Sequence, residues 1–181
     1  QPSLADLAPH VGAGEFRGGP GTLYLTNATG AATTNYWAGL LEVTNGVLVA
    51  GENTLPYPAS LLVNSHLDLT GSNQVNSLTG SGIVSNASPS SLFLFSLGYG
   101  NGSGTFFGRI DDPVAGGSSL RLAKRGNGTL TLSGASTYTG GTSNYNGRIQ
   151  LAGNNVLGFG WVRLQGGDLS SDSQLARTLT N

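Results

Sequence analysis

Asp111 and Asp112 are the only adjacent acidic pair in the chain, and two converging carboxylates are what a glycan-cleaving site would require. Such a site also needs a cleft and a basic residue to bring them together. Pro113 follows directly, and an Asp-Asp-Pro run is expected to be a turn that satisfies its own backbone. Asp168 and Asp172 are four apart, a spacing that gathers side chains on a helix but promises nothing in a strand or loop. In Ser65-His-Leu-Asp-Leu69 the alternation turns Leu67 and Leu69 inward, which places His66 and Asp68 on a solvated outer face. His10 has no cluster of His or carboxylate residues beside it. Cys is absent, which removes a thiolate nucleophile, a thiolate metal site and a disulfide framework. No calcium-binding nonapeptide, phosphate-cradling helix start or nucleophile elbow is present. With 30 glycines, chance patterns such as Gly100-Asn-Gly-Ser-Gly104 carry no weight. The chain is expected to hold no catalytic residue, metal or cofactor.

The aromatic residues offer binding chemistry instead. Tyr36 with Trp37, Tyr57, Tyr99, Phe106 with Phe107, Tyr138, Tyr145, and Phe159 with Trp161 fall largely near expected turns, where exposed rings could stack on sugars. The competing expectation is that they pack against the ends and edges of the fold. Glycan binding requires several rings on one exposed face. Asn27, Asn86, Asn101 and Asn127 each begin an Asn-x-Ser/Thr triplet and are candidate glycosylation positions.

Charged residues are only 9% of the chain against 38% hydrophobic, too apolar for a disordered segment, and the length suits one domain with a sizeable core. Net charge is −1 and no basic run exceeds Lys124-Arg125, so nucleic acid is not an expected partner. Neither a signal peptide nor an apolar run of membrane-spanning length is visible, so no membrane insertion is expected.

Strand patterns must position all of these residues. In Thr129-Leu-Thr-Leu-Ser133 apolar residues alternate with hydroxyls, and Gly126, Gly128 and Gly134 allow sharp turns on either side. Strands are likewise expected at Thr22–Thr26, Leu40–Val43, Gly46–Val49, Leu61–Val63, His66–Leu69, Ile83–Val84, Leu92–Leu97, Thr105–Ile110, Leu120–Leu122, Arg148–Leu151, Val162–Leu164 and Ala176–Thr180. Leu92–Leu97 is continuously apolar, which suits burial on both faces, an end cover or a contact between molecules. Pro2–Ala8 is expected to be extended rather than helical.

The unit also recurs. Gly21-Thr-Leu-Tyr-Leu-Thr-Asn27 matches Gly128-Thr-Leu-Thr-Leu-Ser-Gly134, and Asn45-Gly46 through Leu55 matches Asn146-Gly147 through Leu157. The separations are 128 − 21 = 107 and 157 − 55 = 102, so related segments run over about 15–80 and 122–181 of one repetitive domain, 1–181. The segment from Lys124 to Thr142, with Asn146–Leu151, resembles the autotransporter-associated β-strand repeat, or passenger-associated transport repeat, of secreted bacterial surface proteins. That resemblance implies an extracellular or cell-surface bacterial protein with a structural role. In that family the repeats normally precede a membrane-embedded β-barrel, and these 181 residues show no such barrel pattern.

The expected fold is all-β: a right-handed parallel β-helix of several coils, with a β-sandwich as the alternative. Aligned on the first copy, the second stops near Gly80, before the counterpart of Ser81-Gly-Ile-Val84, and neither end carries a recognisable cap. Two partners then follow: identical subunits joined head to tail in a filament, or adjoining repeats of a longer chain. Leu4, Leu7, Leu175 and Leu179 are the candidate assembly contacts. A glycan-binding adhesin is the alternative function, with a polysaccharide-degrading enzyme third.

Overall fold

The computed structural model describes residues 15–17, 21–25, 36–55, 57–88, 91–112, 119–173 and 175–180. These form strands and connecting turns, with no helix among them. In chain order the strands are β1 (Glu15–Arg17), β2 (Thr22–Leu25), β3 (Tyr36–Val43), β4 (Val47–Ala50), β5 (Tyr57–Val63) and β6 (His66–Leu69). Next come β7 (Asn73–Val75), β8 (Ser77–Thr79), β9 (Ile83–Asn86), β10 (Leu92–Leu97), β11 (Gly104–Phe106) and β12 (Arg109–Asp111). The remainder are β13 (Ser119–Lys124), β14 (Thr129–Leu132), β15 (Thr142–Asn144), β16 (Arg148–Leu151), β17 (Val162–Leu164) and β18 (Asp168–Ser171).

The strands fall into four sheets, ordered β1-β3-β5-β8, β12-β9-β6-β4-β2, β17-β15-β13-β10-β7 and β11-β14-β16-β18. Every ladder between these strands is parallel, and each strand pairs with one two or three strands away in the chain rather than with its sequence neighbour. The offset between paired residues varies: Val47 lies opposite His66 (66 − 47 = 19), whereas Leu92 lies opposite Ser119 (119 − 92 = 27). A bridge from Gly80 to Phe106 carries the first sheet on into β11 and the strands beyond it. Past β12 the second sheet continues without regular strands, through Thr137 N–H to Ile110 O, Ser136 N–H to Asn155 O and Asn155 N–H to Thr178 O.

Alternation decides what the circuits enclose. In β6, Leu67 and Leu69 are buried while His66 and Asp68 are half-buried on the other face. Parallel register then stacks like on like, and the column Leu48, Leu67, Val84, Ile110 runs through four strands with at most 3% exposure. A second column, Leu130 and Ile149, ends at Leu169. Each such side chain contributes about 1.5–3 kcal/mol on burial. β10 is covered on both faces only in its second half, where Phe95, Ser96 and Leu97 are all buried, while Leu92 at its start is exposed.

The turns between circuits are tight. Gly46 and Gly147, each preceded by Asn, take φ of 72° and 69°, a region other residues enter at a cost. Gly108 has an ordinary φ but lies so close to the carbonyl of Gly82 that a Cβ there would collide with it.

Candidate functional site

Two surfaces and one interior cluster gather polar chemistry, and they differ from the sequence expectations in instructive ways. Pro113 lies outside the described residues, but the Asp112 carboxylate reaches beyond the Asp-Asp-Pro run. One carboxylate oxygen accepts the N–H of Leu120 at 2.8 Å, and the other accepts both the N–H and the hydroxyl of Thr139 at 2.8 Å, so it ties circuits together. Asp111 ends strand β12, pairs with Arg109 and accepts the Thr137 hydroxyl at 3.0 Å. Asp172 pairs with Arg177 at 2.6 Å, and that hydrogen bond holds its carboxyl below the usual range. Asp168 lies 3.9 Å from Arg148 instead.

His66 sits on the expected face but not alone. Its Nε2 lies 2.9 Å from Asp68 Oδ1 and 3.1 Å from Ser85 Oγ, and Ser85 Oγ donates to Asp68 Oδ1 at 2.5 Å. A serine–histidine–aspartate relay needs the serine and the carboxylate on opposite ring nitrogens. Here both approach one nitrogen, and the serine proton goes to the aspartate. The trio is therefore a hydrogen-bonded link between β6 and β9. Among the described residues, no group of three His, Cys, Asp or Glu side chains is placed to hold a metal ion.

Lys124 forms the interior cluster. Alternation along Leu120-Arg-Leu-Ala-Lys124 continues the inward phase to Lys124, which lies opposite Leu97 on one side and Asn144 on the other. It is 1% exposed, and its Nζ donates to the carbonyls of Arg125 (2.6 Å), Gly126 (2.8 Å) and Asn146 (3.2 Å). Removal from water lowers its pKa to about 8. Asn73 plays a similar part at another turn: its Nδ2 donates to the Gly51 and Gly71 carbonyls and its Oδ1 accepts the Leu55 N–H.

The first surface is the free edge of β17 and β18. Val162, Leu164, Leu169 and Ser171 lie opposite Thr142, Asn144, Ile149 and Leu151, all buried, so they continue the core's inward phase. Yet Leu164 is 51% exposed, and β18 has no fully buried residue. Leu179 packs partly against the core, whereas Leu175 is exposed at 68%. The last described circuit thus presents apolar groups and one unpaired backbone edge to solvent. Leu4 and Leu7 lie outside the described residues, as does His10.

The second surface is the outer face of β10, β13, β15 and β17. Tyr57 meets Tyr99 edge-on at 5.9 Å, and the Arg125 guanidinium lies 5.0 Å from the Tyr99 ring centre and 4.1 Å from that of Tyr145. Further along, the guanidiniums of Arg121 and Arg163 lie 5.2 and 5.3 Å from the Trp161 ring centre. The indole covers Gly141 so closely that a Cβ there would strike it at 2.6 Å. Phe107 and Phe159 are exposed elsewhere, whereas Phe106 and Tyr138 are core residues. The Tyr138 hydroxyl pairs with Thr142 at 2.5 Å, and burial raises its pKa. The side chains of Tyr36 and Trp37 lie outside the described residues.

No protein-family model, curated protein or solved structure matches the chain.

Of the candidate glycosylation positions, Asn101 and Asn127 are exposed and Asn27 lies outside the described residues. Asn86 is wholly buried; its Nδ2 donates to Ser91 O and its Oδ1 accepts the Ser88 N–H, leaving no room for a glycan in the folded chain. The sequence reading missed Lys124, Asn73 and Ser85. For Lys124 a signal was present, because the inward phase of β13 reaches it.

Proposed function

We propose that the chain is a run of right-handed parallel β-helix coils that serves as a structural element of an extracellular bacterial fibre or surface passenger. Parallel pairing across circuits, with aliphatic columns inside, supports the solenoid reading. A β-sandwich would use antiparallel pairs, and none occurs among the described strands. The resemblance of Lys124–Thr142 to the autotransporter-associated repeat supports the bacterial surface setting. In this reading the polar clusters bind circuit to circuit and the chain catalyses nothing.

One observation carries the structural role: the inward phase of the core runs on into β17 and β18 and is left open there. A further coil, from the same polypeptide or an identical subunit, would cover the apolar groups and pair the backbone edge. Leu164→Asp with Leu169→Asp tests this by sedimentation velocity with circular dichroism. The expected result is end-to-end association of the wild type and loss of association, with strand content kept, in the variant. A wild type that stays monomeric at high concentration would rule out the identical subunit as the source of that coil, and an equally associated variant would count against the covered end itself.

A further inference from the structure

We propose that the outer face of β13, β15 and β17 binds an acidic polysaccharide through Arg121, Arg125 and Arg163 beside the rings of Tyr99, Tyr145 and Trp161. The charge on this face is segregated. Arg109, Arg148 and Arg177 are each paired with an aspartate, but no carboxylate among the described residues pairs with Arg121, Arg125 or Arg163. Their known partners are ring faces and, for Arg121, the Gly140 carbonyl at 3.3 Å. Arg125 also has a buried Nε without a hydrogen-bond partner. A chain of net charge −1 thus gathers, along one sheet, three guanidiniums without a carboxylate partner among the described residues.

Register fixes how they are spaced. Arg121 and Arg125 are four residues apart, about 13 Å along the strand direction. Arg163 lies two strands above Ala123, because Ala123 pairs with Ser143 and Ser143 with Arg163, about 9–10 Å across the sheet. Ala123 and Ser143 lie between the two arginine–ring groups, and both are small and buried. An extended ligand with carboxylates along its length can reach more than one guanidinium.

The chemistry favours a carboxylated sugar. Guanidinium forks match carboxylates in a bidentate way. Tyr99 and Trp161 are 41% and 42% exposed, which leaves apolar ring surface beside the guanidiniums for a sugar to contact. Three arginines without a longer basic track would neutralise few phosphates of a nucleic acid strand. The site depends only on the outer face, so it holds whether or not coils stack beyond β18.

Isothermal titration of the dispersed chain at low salt, with hyaluronan and polygalacturonate oligosaccharides as probes and dextran as the neutral control, tests the proposal. Binding of either acidic oligosaccharide with no dextran binding is expected, and added salt should weaken it. Arg121→Gln or Arg163→Gln should each reduce affinity about tenfold and the pair should abolish it, while Arg148→Gln on β16 leaves it unchanged. Circular dichroism should show the same fold in all variants. No binding of either acidic probe, equal binding of dextran, an equal loss in Arg148→Gln, or tighter binding of a single-stranded oligonucleotide would each overturn the proposal.

Discussion

Replacing Lys124 by Met removes the ammonium that holds three carbonyls together where β13 turns toward β14. Met has similar length and no charge, so packing against Leu97 and Leu130 is largely kept while every donor is lost. An orphaned buried acceptor costs about 1–3 kcal/mol, and the three left here are only part-buried, so each falls toward the low end of that range. Relief from burying a charge offsets part of this, so a net loss of about 2–4 kcal/mol at pH 7 is expected. The pH dependence separates this account from simple packing damage. The folded chain holds Lys124 at about 8 against 10.5 for a free lysine, so the folded form releases its proton first. The penalty is therefore full below about 8 and fades as the pH climbs toward 10.5, and wild-type stability gains over that window. Lys124→Met lacks that gain. Other groups titrate alike in both chains, so the stability gap should widen between pH 7 and 9.5. Urea unfolding followed by circular dichroism measures it. A variant as stable as the wild type at pH 7, or a gap that narrows with pH, would refute the reasoning.

Leu130→Asp and Leu132→Asp should each cost several kcal/mol or prevent folding, whereas Thr131→Asp, whose hydroxyl donates to Gln150 on the outer face, should cost about 1 kcal/mol; thermal melts rank the three. Asp112→Ala leaves the N–H groups of Leu120 and Thr139 without their acceptor and should lower the unfolding free energy by about 1–3 kcal/mol in urea titration. Gly108→Ala drives a methyl into the Gly82 carbonyl and should destabilise by about 2 kcal/mol or more, although alanine normally favours a chain over glycine. Tyr138→Phe removes one buried hydroxyl pair and should cost about 1–2 kcal/mol in thermal unfolding.

Strands whose apolar residues alternate were legible in the sequence. β6, β10, β14, β16 and β17 occupy the residues that alternation or apolar runs predict. The strands not anticipated are β1 (EFR), which lies before the first predicted run, and β7, β8, β15 and β18, whose sequences are NQV, SLT, TSN and DLSS. Runs of three or four residues rich in Asn, Ser and Thr read locally as turns, and only pairing with neighbouring strands makes them strands. The single strand predicted over Thr105–Ile110 is two, β11 and β12, because Gly108 allows the chain to turn against Gly82. Ala176–Thr180 is not a strand, yet Asn155 N–H donates to Thr178 O as if a further rung began there.

The arginine–ring face was not legible. Tyr99, Arg125 and Tyr145 meet because their circuits add 26 and then 20 residues (125 − 99; 145 − 125), and no fixed period marks such a column. His66 could be placed on the outer face by alternation, but its partner Ser85 is reached only through the register of β6 on β9. The donors to the Asp112 carboxylate, the N–H groups of Leu120 and Thr139, lie 8 and 27 residues further on, beyond any short-range pattern.

The central claim is that another coil covers the apolar end formed by β17 and β18. Cryo-electron microscopy of the assembled material tests it most directly. The account expects an unbroken strand spacing of ~4.8 Å running through Val162–Leu164 and Asp168–Ser171, with both strands paired on each edge and Leu164 and Leu169 buried. Assemblies in which those strands keep one edge open to water and Leu164 stays exposed would contradict it.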